Sequence, residues 1–566
     1  MKNKKYILIE YFKNNNVLIV IILITSFIYG ISNVFIPIFI GNGLNNIIEN
    51  SIINIIFILI ISYTILFVSE IIANVILNRI SSNLAKKLRL DIFKKINVID
   101  MSHIDDIQIG DILNLINIDV ENIARVLSQI LFKILSGIVT IIGITIVIFK
   151  INVVLSIILI FSAPIMFIIS RIIVNKTNYF FIKRAEEESN LNEYSEEVIS
   201  KYKSIKNYLY EQDAIKKFED INNKLYKISL KSQFFSSITN PSSRFIINII
   251  YILLGIIGAI FAQKNLISIG EISTFIIYVN IYTRPFNEIT SYITEIQTSN
   301  VSVNRIQYML NKKDEPIIKN KINHNKFSGN IEFRKVKFSY KNGEKLIENL
   351  SFKVNKNEKI AIVGKTGSGK TTIVNLLMKF YKIDSGKIFI DGIDINDIPN
   401  EVLRKNIGLV LQDSKLFYGT VKDNIVYGSD NVKEIDIKKI EKEINLDSFI
   451  NRLSKGYDTI IENENMVSIG ETQLINIARI ILLKPPIVIL DEATSNLDII
   501  TEKKIQNAIK KITENSTTII IAHRLSTIKN ADRIFYIENG SVVEQGTHEQ
   551  LIEKMGKYYE LYKSRI

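Results

Sequence analysis

The chain has no cysteine among its 566 residues, so it can hold no disulfide, no Cys-ligated zinc and no thiol nucleophile. It also lacks a basic stripe with interleaved aromatics. The net charge of +13 comes from lysines scattered among Asn and Ile, which is the pattern of a solvated surface, and no nucleic-acid partner is expected. A third absence concerns the N-terminus. "MKNKK" precedes an apolar run, but no small-residue cleavage site follows and the run is too long for a signal peptide, so a first membrane span is expected.

The residues that are present are unevenly spread. Long Ile/Leu/Val/Phe runs fill roughly the first 300 positions, whereas roughly the last 240 alternate short apolar strands with charged helices. The expected division is an all-α polytopic membrane domain over 1–311, a linker over 312–330 and an α/β domain over 331–566. Six runs meet or approach the ~20 apolar residues that cross a bilayer as helix. They are 17–41, 52–77, 134–149, 153–170, 245–262 and 271–293. The third is short between Lys133 and Lys150, and is expected to start near Val126 with Lys133 turned toward protein or water.

Loop charge sets the orientation. Residues 42–51 carry no Lys or Arg, while 78–125 and 171–244 carry many, so the two long loops and both termini are expected on the cytoplasmic side of a bacterial cell membrane. Both loops have helical patterns, "IGDILNLINIDVENI" (Ile109 to Ile123) and "EEVISKYKSIKNYLYEQDAIKKF" (Glu196 to Phe218). In the sixth run, "YVNIYTRPFNEI" puts Asn280, Arg284 and Glu288 on one helical face. That face either lines a translocation path or, at Arg284, already lies below the hydrocarbon.

In the second half, "IAIVGKTGSGKTTIVNLL" reads as a buried strand, a glycine-rich turn and a helix, and it fits G-x-x-x-x-G-K-[ST]. In Gly364, Lys365, Thr366, Gly367, Ser368, Gly369, Lys370, Thr371 and Thr372 the glycines let backbone amides converge on phosphate oxygens. Lys370 reaches the β/γ-phosphates of a nucleotide such as ATP, and Thr371 holds Mg²⁺. Further on, "IVILDEATSNLD" is an apolar strand ending in two acids. Asp491 is placed to hold the magnesium through water and Glu492 to polarise the attacking water as general base.

These residues resemble the nucleotide-binding domain of an ABC transporter, and six spans followed by that domain resemble an exporter-type half-transporter. The resemblance implies further roles. Tyr340 of "VKFSY" would stack on adenine, Gln412 of "LVLQDSKLF" would sense Mg²⁺ and the membrane part, and His523 of "IIIAHRLSTI" would contact the γ-phosphate. Asp498 of "SNLD" would communicate across a dimer, whereas His548 of "GTHEQLI" is expected to be structural. The segment Ile109 to Ile123 is similar to the one holding the first coupling helix, although a usual Arg is Leu115 here, and the second loop would hold the other coupling helix. The usual Gly before the cradle strand is Asn357, the residue that best tolerates the left-handed region after glycine.

"VSIGE" at Val467 to Glu471 stands where the family usually has LSGGQ, the turn that caps ATP on the opposing subunit. Ser468 and Gly470, which would meet the γ-phosphate, are kept, while Ile469 replaces a glycine and Glu471 a glutamine. A branched side chain and an acid there imply a weakened cap, and a heterodimer with a second half-transporter is favoured over a homodimer. The activity implied is ATP hydrolysis driving export of an unknown drug, lipid or peptide. The alternatives are a soluble ABC ATPase, an importer on the same fold, and a regulatory protein without cargo. With no domain expected ahead of the first span and no cysteine, a fused cysteine peptidase is not expected.

Overall fold

The computed structural model describes residues 16–45, 52–105, 107–316, 327–340, 345–411, 414–429, 432–462, 466–491, 499–521 and 528–564. The chain divides into two compact units, one of residues 1–98 and 107–312, the other of 99–106 and 313–566.

Among the described residues, the first unit is a bundle of six long helices. They are α1 (Asn16–Asn45), α2 (Ile52–Val98), α3 (Ile109–Ile151, with a π turn at Leu115–Asp119), α4 (Val153–Ser200), α5 (Glu211–Gln263) and α6 (Ile269–Leu310). The first five carry a stretch long and apolar enough to cross a membrane. α6 does not, because Glu271, Asn280 and Arg284 interrupt its apolar run. Burial holds it in the bundle instead: Phe275, Tyr278 and Val279 are fully enclosed. The α3 helix runs through Val126 and Lys133, as its sequence predicts.

Small residues set the closest helix approach. A Cβ on Gly270 of α6 would lie 2.0 Å from the Gly41 carbonyl of α1, so only glycine allows this contact. Beside it, Asn45 accepts from the Gly270 amide at 2.8 Å and donates to Ser268 at 3.0 Å. Lower down, the Tyr278 hydroxyl donates to the Val34 carbonyl at 2.6 Å. A polar group in an apolar bundle is thereby given a partner inside the protein.

The segment likened to the first coupling helix is helical throughout. Residues Ile109 to Ile123 belong to the continuous α3 helix of the first unit. The piece that groups with the second unit is Ile99–Asp106, which holds the short helix Met101–Ile104 capped by Asp100. There Ile99 pairs with Asp314 and the Tyr381 hydroxyl donates to Asp105. Sequence periodicity does not distinguish a four-residue helix between two long ones from the start of the next helix.

Among the described residues, the second unit contains twelve strands: β1 (Ile331–Ser339), β2 (Lys345–Val354), β3 (Lys359–Val363), β4 (Ser385–Ile390), β5 (Ile393–Asp394), β6 (Ile407–Val410), β7 (Gly419–Thr420), β8 (Ile460–Ile461), β9 (Ile487–Asp491), β10 (Thr517–Ile521), β11 (Arg533–Glu538) and β12 (Ser541–Gly546). One sheet has the order β2-β1-β4-β5 and is antiparallel. The other has the order β12-β11-β3-β10-β9-β6, with β11, β3, β10, β9 and β6 parallel. Every residue of β9 and β10 is buried, which is why these strands read as unbroken apolar runs rather than alternating ones. Three helices matter for the site: α7 (Lys370–Leu377), α8 (Ile469–Leu483) and α9 (Ile499–Thr513).

Asn357 turns the chain into β3 with φ of +60°, and its amide donates to the Thr517 hydroxyl at 2.9 Å. The left-handed conformation expected of this asparagine is therefore present. Asn357→Val is expected to destabilise this domain by about 1–2 kcal/mol, whereas Asn357→Gly should cost nothing measurable. Denaturation midpoints of the two purified variants check this, and an unchanged midpoint for the valine variant would dismiss the strain.

Candidate nucleotide site

The turn between β3 and α7 is shaped by glycines at positions that disfavour a side chain. Gly364 has φ of +158°, and a Cβ there would sit 2.2 Å from the Ile537 carbonyl. Gly367 and Gly369 have φ of +80° and +95°, in the left-handed region that L side chains avoid. Gly369 immediately precedes α7, so the loop opens onto a helix N-terminus, where amides lack intrahelical partners.

Lys370 is buried and folds back over the loop, donating to the Gly364 carbonyl at 3.0 Å and the Lys365 carbonyl at 2.9 Å. Its ammonium therefore lies across the cradle rather than in solvent. The Ser368 hydroxyl is buried beside it with no hydrogen-bond partner. A buried orphan hydroxyl, converging amides and an ammonium form a set of donors that fits a polyphosphate. Thr371 is exposed at the start of α7, available to a hydrated cation. Thr372 is buried, and its hydroxyl lies 3.3 Å from that of Tyr340. Tyr340 in turn packs edge-on against Phe338 and Tyr381, at 4.8 and 5.1 Å between centroids. The aromatic residue chosen from sequence thus stands beside the phosphate loop.

Strand register brings the acid to the same edge. Ile521 of β10 lies opposite Ile362 of β3 on one side and Asp491 of β9 on the other. Val410 at the end of β6 is opposite Leu490. Four parallel strands therefore end together, and ligands of open α/β sheets bind off such an edge. Asp491 is buried at the strand end. Gln412, Glu492, Asp498 and His523 lie outside the described residues.

Ser468 and Gly470 are placed elsewhere, at the start of α8. Ser468 borders a groove of about 660 Å³ lined also by Arg452, Met466, Glu471 and Lys504. Sequence reasoning took Glu471 as an acid facing phosphate and did not see what else holds it. Ser468 and Glu471 form a capping box: the Ser468 amide and hydroxyl donate to the Glu471 carboxylate at 3.1 and 2.8 Å, and the Glu471 amide donates back to the hydroxyl at 3.3 Å. Arg452 forms an ion pair with the same carboxylate. The spacing Ser-x-x-Glu is a readable signal for this arrangement. Ile469 is exposed next to it.

Two further residues were not anticipated. Arg479 of α8 donates to the Asn424 carbonyl at 3.0 and 2.9 Å and lies over the rings of Phe417 and Tyr427. Burial pushes its guanidinium below the usual arginine range. His548 pairs with the Tyr558 hydroxyl at 2.8 Å, which agrees with a structural part for it.

A glycine-cradled phosphate site at the edge of a parallel sheet, carried by a chain that also has membrane-length helices, defines a membrane-embedded P-loop ATPase. Comparison with known proteins makes this specific. Residues 19–286 match the ABC transporter transmembrane region and residues 347–495 match the ABC transporter ATPase model. An uncharacterized ABC transporter ATP-binding protein of Bacillus subtilis is 36% identical over 489 residues, covering 86% of this chain and 81% of the relative. The fatty acid ABC transporter ATP-binding/permease protein of Mycobacterium tuberculosis is 33% identical over 484 residues, covering 84% and 76%. A probable multidrug resistance ABC transporter of Bacillus subtilis is 30% identical over 495 residues, covering 85% and 72%. A bacterial Atm1-family ABC exporter with ATP bound has the same fold, with a TM-score of 0.78 at 22% identity, covering 97% of this chain and 98% of that one. The chain belongs to the ABC transporter family. It is a multi-pass membrane protein with an exporter-type fold whose second half is an ATP-hydrolysing domain.

Because a Cβ at Gly364 would collide with the Ile537 carbonyl, Gly364→Ala is expected to weaken ATP binding by at least about tenfold while the protein stays in the membrane. Equilibrium binding of a labelled ATP analogue to the purified variant is the check.

Proposed function

We propose that the chain is one half of a dimeric exporter of the bacterial cytoplasmic membrane, with both termini cytoplasmic, that moves a drug, lipid or peptide outward. The observation that carries this reading is the preformed phosphate cradle in a chain of exporter fold. In this reading residues 1–311 are the membrane domain, 312–330 the linker and 331–566 the ATPase domain. ATP supplies the phosphoryl chemistry. Gly364 to Thr372 hold its phosphates and Tyr340 its base, while Thr371, Gln412 and Asp491 hold Mg²⁺. Glu492 takes the proton of the attacking water, His523 contacts the γ-phosphate, and Asp498 faces the partner. Ser468 and Gly470 cap the nucleotide of the opposing subunit.

The names of the relatives support this reading from two sides, since one transports fatty acids and another is a multidrug protein. A second protomer is further supported by the turn between α4 and α5. There Tyr202, Tyr208, Leu209 and Tyr210 are all exposed, a cluster suited to seating on an ATPase domain of the partner. An importer or a cargo-free regulator of the same fold finds no specific support among these observations.

The partner is a different half-transporter. Glu471 already occupies the Ser468 hydroxyl and amide, so a γ-phosphate brought by the partner must displace a carboxylate held by Arg452. Such a cap is weak, and a heterodimer in which the partner supplies a stronger one explains why it is tolerated. Purification of this chain alone tests it: a poorly active or monomeric product is expected, and a stable dimer with brisk cooperative ATP hydrolysis would rule out the need for a different partner.

Two variants probe the cycle. Glu492→Gln is expected to trap the closed dimer with ATP bound and to abolish turnover, read by size exclusion and phosphate release. Glu471→Gln keeps an acceptor for the Ser468 cap and removes the charge. Relief of about 1 kcal/mol of repulsion should tighten ATP-driven closure roughly fivefold, seen as a lower ATP concentration for half-maximal dimer closure.

A further inference from the structure

Inside the membrane unit, α1, α2, α3 and α6 enclose a cavity of about 180 Å³ bordered by Tyr29, Glu70, Lys133, Asn280, Arg284 and Glu288. Its depth follows from helix rise. At 1.5 Å per residue, Tyr29 lies about 24 Å from the Asn45 end of α1, Arg284 about 22 Å from the start of α6, and Glu70 and Lys133 about 27 Å from the same-side ends of α2 and α3. All four therefore fall within one narrow level of a hydrocarbon layer about 30 Å thick. Charges at such depth persist only where they face water, protein or a ligand. Arg284 leaves 69% of its side chain exposed in the single protomer, so the cavity lies on a surface that lipid cannot cover.

The four charges are not equivalent. Arg284 donates to Glu288 at 3.0 Å, and the Tyr292 hydroxyl donates to the other Glu288 oxygen at 2.9 Å, so these groups are largely satisfied by each other. Lys133 contacts the Tyr292 ring, its ammonium 6.0 Å from the centroid. Among the described residues, no ion pair engages Lys133 or Glu70. The wall thus carries two cations and two carboxylates, with one of each uncommitted. A singly charged ligand would pair with one and leave the other unpaired and desolvated, whereas a ligand bearing both signs satisfies the two together. Phe132 and Ile281 flank the polar groups and offer an apolar wall to the rest of the molecule.

We propose that this cavity binds the polar part of an amphipathic zwitterion, its anionic group at Lys133 beside Arg284 and its cationic group at Glu70. This deepens the export reading and rests on it for the direction of movement, but binding is measurable without transport.

The test uses the full chain, with its partner half if assembly requires one, in lipid nanodiscs at pH 8. Binding of three labelled amphiphiles of equal chain length is compared below their micellar concentrations, with empty nanodiscs subtracted. They are N-dodecyl-N,N-dimethylglycine, dodecanoate and dodecyltrimethylammonium. The zwitterion is expected to bind at least tenfold more tightly than either singly charged molecule. Lys133→Gln should remove its advantage over the cation, and Glu70→Gln its advantage over the anion. Equal binding of all three by the unmodified protein, or tighter binding of a singly charged one, overturns the proposal, and that comparison needs no variant to fold. ATP-dependent movement of the same probes in proteoliposomes separates the two readings. Selective binding without outward movement keeps this site and removes export, and outward movement without charge preference does the reverse.

Discussion

Backbone amides that neither a strand nor a helix can use are the constraint around which the ATPase half is organised. β3 is enclosed by β10 and β11, and it ends where the chain must turn sharply into α7. A Cβ at Gly364 would strike the Ile537 carbonyl, so that position is left bare, and the loop opens onto the start of α7, where helix-end amides lack intrahelical acceptors. Lys370 settles the opposite half of the problem by donating to the loop carbonyls. The cradle is therefore rigid before any ligand arrives, which lowers the ordering cost of binding a polyphosphate.

The same reasoning extends to the turn before α8. Its free amides also need acceptors, and here the chain supplies its own through Glu471. In the proposed cap, an anion delivered by a partner would compete with this resident one for the same donors. Arg452 stabilises the resident one, so the balance is set within this protomer. Arg479 carries the consequence further along the helix. It packs against the pair Phe417 and Tyr427, whose rings stack on each other at 4.3 Å, and it binds the Asn424 carbonyl. A tilt of α8 must therefore move the segment that follows β6, the strand whose end leads into Gln412.

Much of this was legible because the signals are local. The phosphate loop is a contiguous motif whose strand and helix are fixed by periodicity, and the buried β9 and β10 announce themselves as unbroken apolar runs. Asn357 was legible for the same reason, since its left-handed φ depends on its own side chain. What escaped was non-local. The partners of Glu471 and Arg479 lie 19 and 55 residues away, at Arg452 and Asn424. The helix Met101–Ile104 was not visible either, because an element that short has no periodicity to read. The sixth run approaches membrane length, but the packing that encloses Phe275, Tyr278 and Val279 of α6 is not visible in its hydropathy.

The membrane half raises the question of why a single protomer is not enough. Lipid tolerates only a helix whose exposed face is apolar, and most of the outward surface of α2 and α4 meets that demand with Ile, Leu, Val and Phe. The face carrying Arg284 does not. A guanidinium left largely exposed about 22 Å down a helix must meet water or another protein, so this side of the bundle cannot be its boundary with lipid. A second bundle closing over that face would turn an open polar furrow into an enclosed wet passage. In the ATPase half, the Ser468 turn borders a groove that the phosphate loop does not line, and in the proposed reading another chain's nucleotide would complete it. Dimerisation therefore answers two separate deficits, one of solvation in the membrane and one of ligand contacts at the nucleotide. A change at either place alters the free energy of the same association, so the nucleotide and the passage are coupled through it.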